Sequence, residues 1–262
     1  MNLLKMSIVF LVSFLAYYGG ADDHASSYAG MDLSARVGLQ YEVCQLREGK
    51  TLADANALTE QAGREFERLG MDLGIIMLNP MFDHGDANNL SADYVIMVFG
   101  SIPAFGSGWD LWGQSKNAQK VMSLRAEIGD CHFKFNHAVM KHADVAAMER
   151  STDRLYEINW CTAKPGITPQ QMKAKHDTWL DANKSNFSSI AWSIIFPRLG
   201  QANAPGQYAH MFVYDSAAAL MANQEWLANG GGWVGVQDYY NSYADCSGPS
   251  VWTGKIAYRP SN

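Results

Sequence analysis

The sequence lacks any excess of basic residues, since its 20 Lys and Arg are outnumbered by 26 Asp and Glu and the formal net charge is −6. A protein that binds the phosphate backbone of a nucleic acid needs a basic face. Beyond its first residues, the chain also has no apolar stretch near the about 20 residues that span a membrane as a helix. We therefore expect no nucleic-acid partner and no association of the mature protein with a membrane.

Motifs that would identify a reaction are absent as well. There is no Gly-x-Ser-x-Gly, and the triplet Gly230–Gly232 is not followed by the Lys-Ser/Thr of a phosphate loop. The cysteines lack the Cys-x-x-Cys spacing of zinc sites. His132, His137 and His142 recur at an odd spacing that alternates between the two faces of a strand, so they cannot converge on one metal ion. The sequence predicts no metal site and no cofactor.

Apolar and aromatic residues are plentiful. Hydrophobic residues make up 48% of the chain and charged residues 18%, which supports a sizeable core and argues against disorder. Aromatic residues, at 12%, suit either tightly packed sheets or an aromatic-lined cavity. The 262 residues fit one large domain or two of ordinary size.

The N-terminus has the pattern of a secretory signal peptide. Lys5 precedes an apolar run from Met6 to Tyr18, and Gly19-Gly20-Ala21 offers small residues for cleavage. The run is shorter than a membrane-spanning helix, although an uncleaved anchor is the alternative. We predict a signal peptide over residues 1–21, a flexible segment over residues 22–37, and export to a periplasm or to the outside of the cell.

The remainder of the chain contains an internal repeat. Tyr41-Glu42-Val43 recurs as Tyr156-Glu157-Ile158, an offset of 115 residues (156 minus 41). Further matches follow in the same order at offsets of 114 to 117 (208 minus 94; 168 minus 51), and they include Gly49/Gly166, Thr51/Thr168, Pro80/Pro197, Tyr94/Tyr208, Trp112/Trp226 and Asp130/Asp245. A nearly constant period is the expected sign of a tandem repeat. We predict one copy over residues 38–145 and a second over residues 146–262.

Each copy has the same predicted order of elements. Thr51 with Asp54, and Thr168 with Gln171, have the spacing of helix capping boxes. Strand, helix, strand, strand, helix and strand follow one another in both copies, with the early elements predicted at Tyr41–Arg47, Thr51–Leu69, Leu73–Leu78 and Tyr94–Phe99, and at Tyr156–Thr162, Thr168–Ala182, Ile190–Phe196 and Tyr208–Tyr214. A second helical region then leads to a last strand, near Cys131 or near Val251.

This β-α-β-β-α-β order is the ferredoxin-like pattern. Helices cover only one face of such a sheet, and a second copy in the chain can cover the other. The arrangement resembles the dimeric α+β barrel superfamily, which includes antibiotic-biosynthesis-type monooxygenases and NIPSNAP-like proteins. The resemblance covers residues 38–260 and implies an α+β fold in which two tandem ferredoxin-like repeats close one barrel as an intrachain pseudo-dimer. A monomer is then the expected state.

The ferredoxin-like order also suggests how the four cysteines pair. Four cysteines allow three pairings, and the first and fourth strands of such a sheet are antiparallel neighbours. This order implies disulfides Cys44–Cys131 and, by repetition, Cys161–Cys246, which an oxidising compartment would permit. Free thiols are the alternative.

The residues expected to bind a ligand follow from strand alternation. Tyr208, His210, Phe212 and Tyr214 share one face of a predicted strand, and we expect that face to line the barrel interior. Ala209, Met211 and Val213 share the other face, which we expect to pack under helices. Tyr94 holds the place of Tyr208 in the first copy. A structural core role for His210 is the alternative.

The first strand of each copy adds polar candidates. Glu42 in the first copy, and Asn159 beside Glu157 in the second, share a face with a cysteine. A glutamate on a barrel-facing strand could act as an acid or a base, whereas a solvated strand edge is the alternative.

Two classes of function remain open. One is an exported protein that binds a small apolar or aromatic ligand, or a protein partner. The other, which the resemblance implies, is a cofactor-independent enzyme of monooxygenase or isomerase type with its site inside the barrel. Such enzymes can use an apolar pocket with one or two polar groups, so the absence of a motif does not exclude them.

Overall fold

A computed structural model of the chain describes residues 27–83 and 92–261. The predicted signal peptide and the first residues of the predicted flexible segment lie outside the described residues. Within these ranges the elements are β1 Ser27–Tyr28, β2 Met31–Asp32, β3 Arg36–Leu46, α1 Leu52–Leu69, β4 Leu73–Phe82, β5 Tyr94–Ser101, α2 Ile102–Gln114, α3 Lys116–Ile128, β6 Gly129–Ala143, α4 Val145–Arg150, β7 Asp153–Ala163, α5 Pro169–Asn183, a 3₁₀ turn Lys184–Asn186, β8 Ala191–Pro197, β9 Tyr208–Tyr214, α6 Ala217–Asn229, α7 Gly232–Ser242, β10 Ala244–Cys246 and β11 Ser250–Tyr258.

Eight long strands form a closed antiparallel barrel. Their order around the barrel is β7-β11-β4-β5-β3-β6-β8-β9, and β9 pairs back onto β7. The short strand β10 continues the pairing of β11 along the end of β7. The mixed α and β composition and the barrel confirm the coarse fold prediction, and the two-copy origin of the fold stays a prediction. We call residues 38–145 the first half of the chain and residues 146–262 the second half.

The two long helices α1 and α5 begin where the sequence predicts. Thr51 and Thr168 each accept a hydrogen bond from the backbone N–H three residues on, and the side chains of Asp54 and Gln171 accept one from the backbone N–H of the cap residue. Pro169 holds the first helical position, where its missing N–H removes no helical hydrogen bond. These local signals explain why the helix starts were readable from the sequence.

The predicted assignment of the β9 faces was wrong. Ala209, Met211 and Val213 join the core cluster inside the barrel, together with residues of both halves such as Leu39 and Tyr156. The face with Tyr208, His210 and Phe212 turns outward, toward the helices of the second half. Strand alternation separates the two faces correctly, but the small and aliphatic side chains are the ones that pack in the barrel interior.

The barrel interior is closed at one end by the β1–β2 hairpin. Tyr28 and Met31 are buried in the barrel cluster, and the Tyr28 ring stacks on Phe99 with 6.2 Å between centroids. The guanidinium groups of Arg154 and Arg259 lie over the same tyrosine ring, at 5.7 and 5.4 Å from its centroid. Tyr28 and Met31, which lie within the predicted flexible segment 22–37, are therefore buried against the barrel, and the flexibility of that segment stays a prediction.

The four cysteines lie in two pairs at disulfide distance, as the ferredoxin-like order implied. Cys44 of β3 stands directly opposite Cys131 of β6, with 4.1 Å between their Cα atoms. Cys161 of β7 stands opposite Cys246 with 4.0 Å between Cα atoms, although Cys246 belongs to the separate strand β10 and not to β11. The paired cysteines are 87 and 85 residues apart in the sequence. Two such pairs fit an extracellular or periplasmic protein.

The helices in the described ranges include none that is both long enough and apolar enough to cross a membrane.

Candidate functional site

A cavity of about 290 Å³ lies between the outer face of the second-half sheet and helices α5, α6 and α7. We call it the aromatic cavity. The sheet contributes residues of β7, β8 and β9, and each of the three helices contributes a wall. The side chains that line it include Glu157, Asn159, Lys175, His176, Trp179, Trp192, His210, Phe212, Trp226, Val236, Tyr239 and Tyr240.

The floor of the aromatic cavity is a ladder of stacked rings. Trp192 of β8 lies nearly parallel to Phe212 and His210 of β9, with centroids 5.5 and 5.9 Å away. Trp179 of α5 meets the Trp192 ring edge-on at 5.5 Å and lies 6.0 Å from Trp226 of α6. Such walls offer a planar molecule large apolar contact areas and favourable ring geometry.

The Tyr239 hydroxyl is the centre of a buried hydrogen-bond network. It lies 3.1 Å from His210 Nε2, 2.9 Å from His176 Nε2 and 2.5 Å from the Tyr208 hydroxyl. Trp192 Nε1 donates to His210 Nδ1 over 3.3 Å, so the proton of a neutral His210 lies on Nε2 and is donated to Tyr239. The network fixes both imidazoles in the wall.

Both histidines of this network are held neutral. Burial, with a smaller contribution from the nearby Lys141, lowers the pKa of His176 to about 4. Burial also brings the pKa of His210 well below its ordinary value, and His176 adds to the effect. A neutral pair joined through Tyr239 orients the wall of the cavity and carries no positive charge that could pair with an acid.

Glu157 is the acidic group of the aromatic cavity. It is 7% exposed, and burial raises the pKa of its carboxyl to about 7. Its Oε2 accepts one hydrogen bond, from the Tyr214 hydroxyl at 3.4 Å. Within the described part of the chain Glu157 forms no ion pair. A buried carboxyl without a cation is costly and is typical of functional sites.

Asn159 is the neighbour of Glu157 on the same face of β7. Its Nδ2 donates to the Tyr240 hydroxyl over 3.0 Å. Its Oδ1 is buried and has no hydrogen-bond partner among the described residues. An unsatisfied buried carbonyl oxygen costs about 1–3 kcal/mol, so this atom favours a ligand that brings a donor.

In the first half, the corresponding glutamate is ion-paired. Glu42 is 2% exposed and pairs with Arg125 of α3, whose Nη1 lies 2.5 Å from its Oε2. Burial raises the pKa of Glu42, and the Arg125 guanidinium opposes that rise. At the repeat offset of 115, Arg125 corresponds to Tyr240 (125 plus 115). The second half therefore keeps the buried carboxyl, and no cation of the described residues is paired with it.

The predicted ligand-binding residues fall in three places. Asn159, His210 and Phe212 line the aromatic cavity, and Tyr208 adjoins it through Tyr239. Tyr214 lies beside Glu157. Glu42 and Tyr94 belong to the helix-covered side of the first half, where Tyr94 is buried in a packed core and Glu42 is ion-paired. Whether any of these residues binds a ligand stays a prediction.

The sequence interpretation missed the helical side of the aromatic cavity. His176, Trp179, Trp226 and Tyr239 come from three different helices, and no short motif joins them. Glu157 was visible as the repeat partner of Glu42. The missing signal was the replacement of an arginine by Tyr240 at the matching offset.

A second cavity, of about 220 Å³, opens at the barrel end opposite the Tyr28 hairpin. Tyr41, Trp160 and Trp252 are among its lining residues, together with His132 and Lys134. The described ranges contain no group of three His, Cys, Asp or Glu side chains that could hold a metal ion.

The fold is shared with solved structures of very different sequence. A candidate monooxygenase from Fusobacterium nucleatum is 9% identical, with 87% of this chain and 95% of that chain covered and a TM-score of 0.55. A candidate monooxygenase from Lactobacillus acidophilus is 11% identical, with 86% and 96% covered and a TM-score of 0.54. An anthrone oxidase-like protein is 10% identical, with 88% and 96% covered and a TM-score of 0.51.

These neighbours belong to the dimeric α+β barrel superfamily, in agreement with the resemblance inferred from the element order. At such low identities the likeness shows the fold alone. No family model matches the sequence, and no curated protein is significantly similar to it.

Proposed function

We propose that the chain binds a small, planar, mainly apolar molecule in the aromatic cavity. The observation that carries the proposal is a cavity walled by aromatic rings that also contains the buried, cation-free carboxyl of Glu157. Apolar pockets with a few convergent polar groups are the usual form of small-molecule sites. The neutral network around Tyr239 holds the polar part of the wall in one arrangement.

The volume of the cavity limits the size of the ligand. An engineered apolar cavity of about 150 Å³ binds benzene, and the aromatic cavity, at about 290 Å³, is close to twice as large. Two fused rings with a short substituent match this space. A ligand of that size can contact the Trp192 ladder and reach Glu157 together.

A matched pair of cavity-filling variants tests this proposal. Val236 and Val234 both lie on α7, but Val236 lines the aromatic cavity whereas Val234 is 56% exposed. We expect saturable binding of at least one of three naphthalene probes, which carry an aminomethyl, a hydroxymethyl or a carboxylate group at the 2-position. Val236→Phe should abolish this binding and Val234→Phe should preserve it, as measured by titration calorimetry. Absence of binding by all three probes, or equal loss in both variants, would contradict the proposal.

The second candidate function is a cofactor-independent enzyme in which Glu157 accepts a proton from an acidic C–H of the ligand. It is favoured by the pKa of Glu157, which lies at about 7, where a general base works best. Return of the proton to another carbon gives an isomerase. Alternatively, the resulting carbanion reacts with dioxygen as co-substrate and, with the proton returned, forms a hydroperoxide on a CH₂ carbon. Loss of water from this hydroperoxide breaks its O–O bond, leaves one oxygen atom on the ligand as a carbonyl and releases the other as water. This is a monooxygenase reaction, an activity compatible with the names of the structural neighbours.

Proton exchange tests this second function without knowledge of the natural substrate. 2-Tetralone has two fused rings and acidic C–H groups, and its exchange in D₂O can be followed by NMR. We expect wild-type protein to accelerate the exchange, with a rate that rises with pH through about 7 as Glu157 ionises. Glu157→Gln should remove the acceleration. Exchange that persists in this variant would assign the base elsewhere.

We also propose that the protein is exported after cleavage of residues 1–21, and that its two halves arose by tandem duplication of a unit bounded near residue 145. The equal order of elements in the halves and the two cysteine pairs support these proposals. On this view the chain is a monomer whose halves take the place of two subunits. Intact mass of the protein from its host and light scattering in solution test them.

A further inference from the structure

We propose that the ligand of the aromatic cavity is an organic cation, a fused-ring compound with a primary ammonium group that pairs with Glu157 and donates to Asn159. This inference rests on the binding function proposed above and narrows it to one chemical class. It follows from the buried polar groups of the wall and from a comparison of the two halves of the chain.

The buried polar groups of the cavity wall include two acceptors that the described residues satisfy incompletely. The imidazoles of His176 and His210 are already bonded to Tyr239. The groups that remain are acceptors, namely the carboxyl of Glu157 and the partnerless Oδ1 of Asn159. Lys175, a cation of the cavity wall, is ion-paired with Asp238 and lies over the Tyr243 ring. A ligand that satisfies the wall must therefore bring donors.

The geometry of β7 places these two acceptors side by side. Glu157 and Asn159 are two residues apart on one strand, so their side chains leave the same face. Strand residues two apart are separated by about 6.5 Å along the chain. An ammonium group between them has three donors and can bond both groups, and the aromatic rings around it add cation–π attraction.

In the first half of the chain, the protein supplies the cation itself. There Glu42 is also buried, and the Arg125 guanidinium forms an ion pair with its carboxylate. The second half keeps the glutamate and has Tyr240 at the matching offset in α7, where the hydroxyl is bonded to Asn159. A ligand ammonium would take the place that the arginine side chain occupies in the first half.

The three naphthalene probes test the inference, because they share one ring system and differ in charge. At pH 8, where Glu157 is largely ionised, we expect the aminomethyl probe to bind at least tenfold more tightly than the hydroxymethyl probe. The carboxylate probe should bind more weakly than both. Glu157→Gln should reduce the ratio of amine to alcohol affinity to near one, whereas Glu225→Gln, at an exposed position of α6, should leave the ratio unchanged.

A second variant keeps the test decisive if Glu157→Gln folds poorly. Tyr240→Arg installs the cation of the first half, and we expect the amine to lose at least tenfold more affinity than the alcohol. Tyr240→Phe is its matched control and should retain the preference for the amine. Equal binding of amine and alcohol by wild-type protein, or preference for the carboxylate, would overturn the inference while leaving the binding function intact. Failure of all probes would remove the binding function itself.

Discussion

Glu157 gives the protein a pH dependence of stability that can be calculated from its environment. The pKa of the buried carboxyl is about 7, against 4.5 for an ordinary glutamate. Because the folded state binds this proton more tightly than the unfolded state, the stabilisation is complete below pH 4.5 and is lost as pH rises through about 7. At about 1.4 kcal/mol per pKa unit, the full effect is about 3 kcal/mol.

The assay is chemical denaturation of wild-type protein and Glu157→Gln between pH 5 and pH 8. Over this window the ionisation of Glu157 lowers the free energy of unfolding of the wild type by about 2–3 kcal/mol, and the variant does not share this loss. The difference between the two proteins is the readout, since His176 and His210 in the same wall change stability in the opposite direction. Glu225→Gln, whose side chain is exposed, should follow the wild type. Parallel curves for wild type and Glu157→Gln would refute the assignment of a raised pKa to this carboxyl.

Three further outcomes are expected. Arg125→Met leaves Glu42 buried without its cation and should lower the free energy of unfolding by about 3–5 kcal/mol. The double variant with Glu42→Gln should recover much of this loss. If the effects of the two substitutions simply add, the coupling is contradicted. As pH falls from 6.5 through about 4, the wild type should lose about 3 kcal/mol of stability, because His176 protonates easily only in the unfolded state. His176→Gln should reduce this loss. Unchanged acid sensitivity of the variant in urea titrations would contradict the lowered pKa of His176. Replacement of Cys161 and Cys246 by Ala should cost about 4 kcal/mol on the chain-entropy model, and four alkylatable thiols in non-reduced wild-type protein would contradict the pairing.

Local signals in the sequence were sufficient for the long helices α1 and α5 and for β9, and the predicted order of elements was sufficient for the cysteine pairs. The caps at Thr51 and Thr168 depend on atoms within four residues, and the strand β9 begins and ends where its pattern predicts, at Tyr208 and Tyr214. The pairing of Cys44 with Cys131 follows once the first and fourth strands are neighbours. These features could be predicted because none of them depends on how side chains fill space.

The location of the candidate site could not be predicted in the same way. Alternation in β9 separates His210 from Met211, but it does not state which side faces the barrel. That choice is made by packing, since the barrel interior is filled by residues from eight strands and accepts Met211 and Ala209. The cavity exists because Trp179, Trp226 and the other rings beneath the helices leave a gap, and such a gap depends on side-chain volumes from distant segments.

The way the barrel closes also bears on how the chain can be divided. β4 of the first half pairs with β11 of the second, and β6 pairs with β8, so each half covers both open sheet edges of the other. An isolated half would expose two long unpaired edges, which attract other strands and promote aggregation. A chain cut within α4, between the halves, should accordingly yield two fragments that are insoluble when produced separately. Co-expressed, the same fragments should assemble into one soluble complementing pair.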